Sequence, residues 1–137
     1  MTKNELKKLV LKWKPILKLQ DWDISVAIVD QSCIDEITQQ EEIPYRAAAL
    51  NKISSMKKAC EILISSTPSE DIEKCLVHEL VHVVVNSMDE EHRYAIDCIS
   101  DTTLQNYCSN RRVGPLEQVV NDVTRICINS IGDSKCK

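Results

Sequence analysis

His78-Glu79-Leu80-Val81-His82 places two imidazoles four residues apart, with a glutamate beside the first. On an α-helix, side chains at i and i+4 share a face, so both rings can grip one metal ion. Glu79 falls about 100° round the helix from His78, close enough to reach a water on that metal without being a ligand. The reading requires a helix here, and the flanking residues supply one. Thr67-Pro68-Ser69-Glu70 reads as a capping box with proline at the first helical position. Glu70 and Asp71 put negative charge in the first turn, where the helix dipole favours it. Ile72, Cys75, Leu76, Leu80, Val83 and Val84 recur at helical spacing. The nearly all-apolar run Val81-His82-Val83-Val84-Val85 predicts a central helix over about 68–87. Polar imidazoles in such surroundings need partners.

A lone histidine on an apolar helix face is usually a core residue with one satisfied hydrogen bond. Two at this spacing with an interposed glutamate are better explained by a metal. All three histidines of the chain lie between positions 78 and 92. Two histidines, a third protein ligand, an open position for water and a carboxylate to take its proton are the parts of a zinc hydrolase site.

The composition suits one small domain spanning 1–137, with residues 132–137 as a frayed tail. Hydrophobic residues make up 43% and charged residues 28%, both ordinary for globular chains. A formal net charge of −4 gives no electrostatic argument for nucleic acid. The lysines at 3, 7, 8, 12, 14 and 18 cluster on an amphipathic first helix and read as its solvated face. No apolar run approaches the length of a membrane span, and the N-terminus lacks the apolar core of a secretory signal. The seven cysteines are odd in number and form no C-x-x-C pair. They read as reduced thiols of a cytoplasmic protein.

Thr2-x-x-Glu5 opens a first helix with Leu6, Leu9, Val10, Trp13 and Leu17 on one face, and Pro15 loosens its last turn. Residues 23–29 alternate and are β-branched, which predicts a strand. Residues 31–45 are poorly patterned and read as a loop with room for a short helix. Residues 47–54 and 59–65 read as two strands joined by a turn around Ser55-Met56-Lys57-Lys58. A turn near 88 then separates the motif helix from a helix over about 89–108. Arg111-Arg112-Val113-Gly114-Pro115 reads as a break, and a last helix runs from Leu116 to near Gly132. Helix, three strands, then helices define a small α+β domain, with a three-stranded sheet packed on the motif helix.

Leu19-Gln20-Asp21-Trp22-Asp23-Ile24-Ser25-Val26, the hairpin ending in Cys60-Glu61-Ile62-Leu63-Ile64, and Leu76-Val77-His78-Glu79-Leu80-Val81-His82 carry a resemblance. Over roughly residues 5–107 the chain resembles the small zinc metallopeptidase-like proteins of phages and prophages, a minimal gluzincin. The resemblance implies a zincin-like fold and a Zn²⁺ cofactor. It implies a peptide or protein substrate held as an extended strand along a sheet edge, and a host-cytoplasmic location. It also implies a third ligand from a glutamate on the next helix. By apolar register that glutamate falls on Arg93, which cannot bind zinc. Glu91 is the first alternative, nine residues beyond His82. Asp97 is the second, in the segment Asp97-Cys98-Ile99-Ser100-Asp101, where Asp101 would support the ligand. His92 is the third, and Glu90 remains open. Glu90 and Glu91 could equally be first-turn charges of a helix.

The expected chemistry is peptide hydrolysis with Glu79 as general base. Tyr94, His92, Arg93 and Tyr45 are candidate oxyanion donors, with nothing in the sequence to choose among them. The competing class is a zinc-binding pseudo-peptidase acting as a binding or regulatory protein. A helical interaction module without metal is a third.

Overall fold

The computed structural model describes residues 1–41, 43 and 47–132. Tyr45 and the tail beyond Gly132 lie outside the described residues. Helix α1 (Lys3–Ile16) starts at the expected capping box: the Glu5 N–H donates to Thr2 Oγ1, and the Thr2 N–H donates to Glu5 Oε2. Its buried face is Leu6, Val10 and Trp13. The helix ends one residue after Pro15, and Lys18 takes a left-handed φ of 59° as the chain turns toward the sheet.

Strand β1 (Asp23–Val29) lies at one edge of the sheet, β3 (Ala59–Ser65) in the middle and β2 (Ala49–Ser54) at the other edge. β1 pairs parallel with β3, and β2 pairs antiparallel with it through the hairpin at 55–58. Lys58 adopts a left-handed φ of 46° in that turn. The segment between β1 and β2, expected to be mostly loop, contains helix α2 (Gln31–Gln40), which buries Ile34 and Thr38. Among the described residues, a three-stranded sheet with four helices confirms the α+β class.

Central β3 supplies Cys60, Ile62 and Ile64 to the core. Against them packs α3 (Ile72–Asp97), which buries Leu76, Val77, Leu80 and Val81. Burying an aliphatic side chain of this size stabilises by about 1.5–3 kcal/mol, so these four residues contribute heavily to stability. Trp13 closes the core from α1 and donates from its indole Nε1 to Glu73 Oε1 at 2.8 Å.

The helical part differs from the sequence reading in three places. The motif helix starts at Ile72, capped by Asp71, whose side chain accepts from the Lys74 N–H. The Thr67-x-x-Glu70 box is therefore not its start. Near 88 there is no turn. α3 continues to Asp97, supported across the expected break by Asn86 donating to Glu90 (3.1 Å) and by the Asp89–Arg93 pair. The turn comes at 98–101. Asp101 then opens α4 (Thr102–Gly132) by accepting from the Leu104 N–H at 2.8 Å.

α4 also runs straight through Gly114-Pro115, where a break was expected. Pro115 removes the hydrogen bond to the Arg111 carbonyl, a penalty of about 3 kcal/mol. Packing against α3 offsets it: Val120 and Thr124 are fully buried, and Arg112 and Glu117 bond to α3 on either side of the proline. Among the described residues no helix is long and apolar enough to cross a membrane.

Candidate metal centre

α3 presents His78 and His82 from successive turns, with ring centroids 5.0 Å apart and planes at 68°. Both aim Nε2 at one carboxylate on α4. His78 Nε2 lies 3.3 Å from Glu117 Oε2, and His82 Nε2 lies 3.1 Å from Glu117 Oε1. One ligand atom from each of these three residues falls within 4.8 Å of the others.

This donor set fits zinc. Zinc–nitrogen and zinc–oxygen bonds of about 2.0–2.2 Å in a tetrahedron separate neighbouring ligand atoms by about 3.3 Å. The N···O separations of 3.3 and 3.1 Å are close to that edge, each to a different oxygen of Glu117. Two imidazoles and one carboxylate leave a fourth position, as catalytic zinc sites do.

The three groups are joined by hydrogen bonds between the imidazoles and the carboxylate. Burial acts to lower the His78 pKa, but the hydrogen bond to Glu117 and the charges of Glu79 and Glu117 prevail and raise it. The hydrogen bonds from His78 and His82 pull the Glu117 carboxyl down to about 2 despite its partial burial. Asn121, one turn beyond Glu117, adds a hydrogen bond that also favours the charged His78 ring.

Glu79 is 6% exposed and accepts a hydrogen bond from Asn51 Nδ2 on β2. Burial drives its pKa up. The nearby His82, the Asn51 bond and His78 oppose that rise without cancelling it. The Asn51 contact engages Oε2, so Oε1 remains for a proton. A cleft of about 450 Å³ joins these parts, with β2 residues Ala49, Leu50 and Asn51 on one wall and the α3–α4 pair on the other. Among the described residues β2 pairs with a strand, β3, on one side only, so its outer edge is the sheet edge nearest the site.

His78, Glu79 and His82 are thus brought together as the motif implied. The expected third ligands are not. Glu91, His92 and Asp97 are exposed on α3 itself, and none joins the cluster. Because α3 does not turn near 88, Glu91 lies about 13 Å further along the helix axis than His82. Glu90 bonds to Asn86, and His92 lines an adjoining cavity with Val85, Met88 and Val119 that shares Asp89, Arg112 and Leu116 with the cleft. Tyr94 and Arg93 are exposed, Arg93 at the far end of the cleft.

Glu117, Asn51 and Asn121 were not anticipated. The signal for Glu117 is positional: His82 precedes Cys98 by as many residues as Glu117 follows Asp101. In an antiparallel helical hairpin, residues equidistant from the turn stand at the same level.

No protein-family model matches this chain, and neither curated proteins nor solved structures yield a match to it.

Proposed function

We propose that this chain is a zinc-dependent metallopeptidase, with His78, His82 and Glu117 as ligands and Glu79 as general base. The observation that carries the reading is the convergence of both Nε2 atoms on one carboxylate, beside a buried glutamate in the same cleft. The H-E-x-x-H helix and its resemblance to gluzincins support the same class.

Zinc, when bound, supplies Lewis acidity, acidifying water and polarising a carbonyl. The chain does the rest. Glu79 Oε1 takes a proton from the attacking water, whose oxygen bonds to the carbonyl carbon. The C–N bond then breaks, and Glu79 returns the proton to the leaving amine nitrogen. Asn51 holds the other carboxylate oxygen and so orients the base. The free edge of β2 offers backbone groups to an extended peptide.

The test is cleavage of a peptide library by zinc-loaded protein, with a chelator control. Chelator-sensitive cleavage that disappears in Glu79→Gln supports the reading. Zinc binding with no cleavage would leave a non-catalytic binding protein instead.

A further inference from the structure

The metal triad occupies only part of the cleft. Asp89 follows His82 by two helical turns on the same face of α3, and its carboxylate engages two guanidiniums. Arg93 Nη2 lies 3.0 Å from Oδ2, and Arg112 Nη1 reaches Oδ1 from α4. Asp89, Arg93 and Arg112 all line the same cleft as His78, His82 and Glu117. Two arginines on one aspartate leave an excess of one positive charge there.

A clamp between the helices accounts for Arg112 but not for Arg93, which sits on the same helix as Asp89 and is 51% exposed. Arg112 is only 17% exposed and Asp89 12%, so Arg112 is held in place rather than free in solvent. Each contact to Asp89 uses one terminal nitrogen, while a guanidinium carries five N–H donors in a planar fork suited to carboxylates.

The charges of the rest of the cleft leave this end as its positive pole. A dication would cancel Glu79 and Glu117. Glu70 is paired with Lys74 at 2.8 Å, and Glu41 is exposed to solvent. Along α4, Arg112 precedes Glu117 by five residues, about 7.5 Å. An extended peptide covers that distance in about two residues.

The geometry points to a carboxylate-anchoring subsite: Arg112 and Arg93, bridged by Asp89, hold a negatively charged group about two residues from the bond to be cut. This rests on the peptidase reading of the metal end. An aspartate or glutamate side chain and a free C-terminus offer the same chemistry, and the experiment separates them.

Three pools of N-terminally dansylated peptides, whose label is uncharged near neutral pH, are compared. One is neutral and amidated, one is amidated with a single central glutamate, and one is neutral with a free C-terminal carboxylate. Binding to zinc-loaded Glu79→Gln protein is read by anisotropy, and cleavage by wild type is read by mass spectrometry. One or both carboxylate pools should bind about tenfold more tightly than the neutral pool. Which of them does identifies the source. Arg112→Gln should bring that affinity down to the neutral level. The double variant Asp89→Asn/Arg112→Gln should do the same without leaving Asp89 short of a partner.

Equal binding of all three pools, or none, overturns the subsite. So does full carboxylate preference in either variant, once thermal melting shows it folded. The two readings fail differently. Carboxylate preference in Glu79→Gln without cleavage by wild type removes the peptidase alone, and cleavage of all pools without preference removes the subsite alone.

Discussion

Glu117 Oε1 stands 3.1 Å from His82 Nε2, although the two residues belong to opposite arms of a helical hairpin whose turn is about 24 Å away along either arm. The same carboxylate reaches His78 through its second oxygen. That relationship makes the proposed third ligand a property of the hairpin register, and it can be tested directly.

Replacing Glu117 by alanine should weaken zinc binding by about a hundredfold or more, as should His78→Ala. Glu91→Ala should leave affinity unchanged, because Glu91 is exposed on α3 and outside the cluster. Competition with a chromophoric chelator measures all three. A Glu91→Ala protein that loses zinc while Glu117→Ala keeps it would reverse the assignment.

Glu79→Gln should retain zinc and lose about 10²–10⁴-fold in peptide cleavage. In the metal-free protein the same substitution should be stabilising near neutral pH. Burial raises the folded pKa of Glu79 above its ordinary value of 4.5, so the folded state pays for ionising it. That penalty is absent well below pH 4.5, appears as pH rises through 4.5, and is complete above the raised folded value. Urea unfolding of both chelator-treated proteins across that range checks the sign. A Glu79→Gln advantage that grows on acidification contradicts it.

Cys60 should resist alkylation at pH 8. Burial, with the charges of Glu79 and Glu61, pushes its thiol up to about 12, so almost none is thiolate at that pH. Cys33 and Cys98 are exposed and should react. Iodoacetamide labelling of folded protein, read by peptide mass spectrometry, distinguishes the sites. Labelling of Cys60 at a rate equal to Cys98 would show that the β3 face of the core opens.

Gly114→Ala should stabilise the protein by less than about 1 kcal/mol, because the Pro115 ring crowds a Cβ on the helical residue before it. Outside Val113, Pro115 and the helix's own backbone, a methyl group at that position meets nothing within 4 Å, and glycine inside a helix carries an entropic penalty that alanine removes. Zinc affinity should not change. Denaturant unfolding with a midpoint equal to or below wild type would mean that the helix needs slack beside Pro115.

The sheet and the motif helix were legible because their signals are local. Alternation in 23–29, the four-residue turn at 55–58 and the Thr2–Glu5 box each report on a few neighbouring residues, and each forms as its pattern predicts. The His78–Glu79–His82 triplet is local in the same sense. Glu117, the proposed third ligand, was not legible, because its place beside the histidines depends on where the chain reverses. Ser87-x-x-Glu90 looks like a capping box yet lies mid-helix, whereas Asp101 caps α4 with no apolar pattern to announce it. Gly114-Pro115 misled for a related reason: local propensity favours a break, and tertiary contacts through Arg112, Val120 and Glu117 override it. Asn51 is invisible in any one-dimensional pattern, since only strand pairing with β3 and packing on α3 bring it to Glu79.

The length of the hairpin has a consequence for how such sites vary. Between His82 and Glu117 the two arms rise and descend together, so removing two turns from each arm would shorten the tip while returning the carboxylate to the same imidazoles. The interval separating an H-E-x-x-H pair from its glutamate is therefore elastic in steps of paired turns. A pattern search with one preset gap will overlook a glutamate that folding places opposite the histidines.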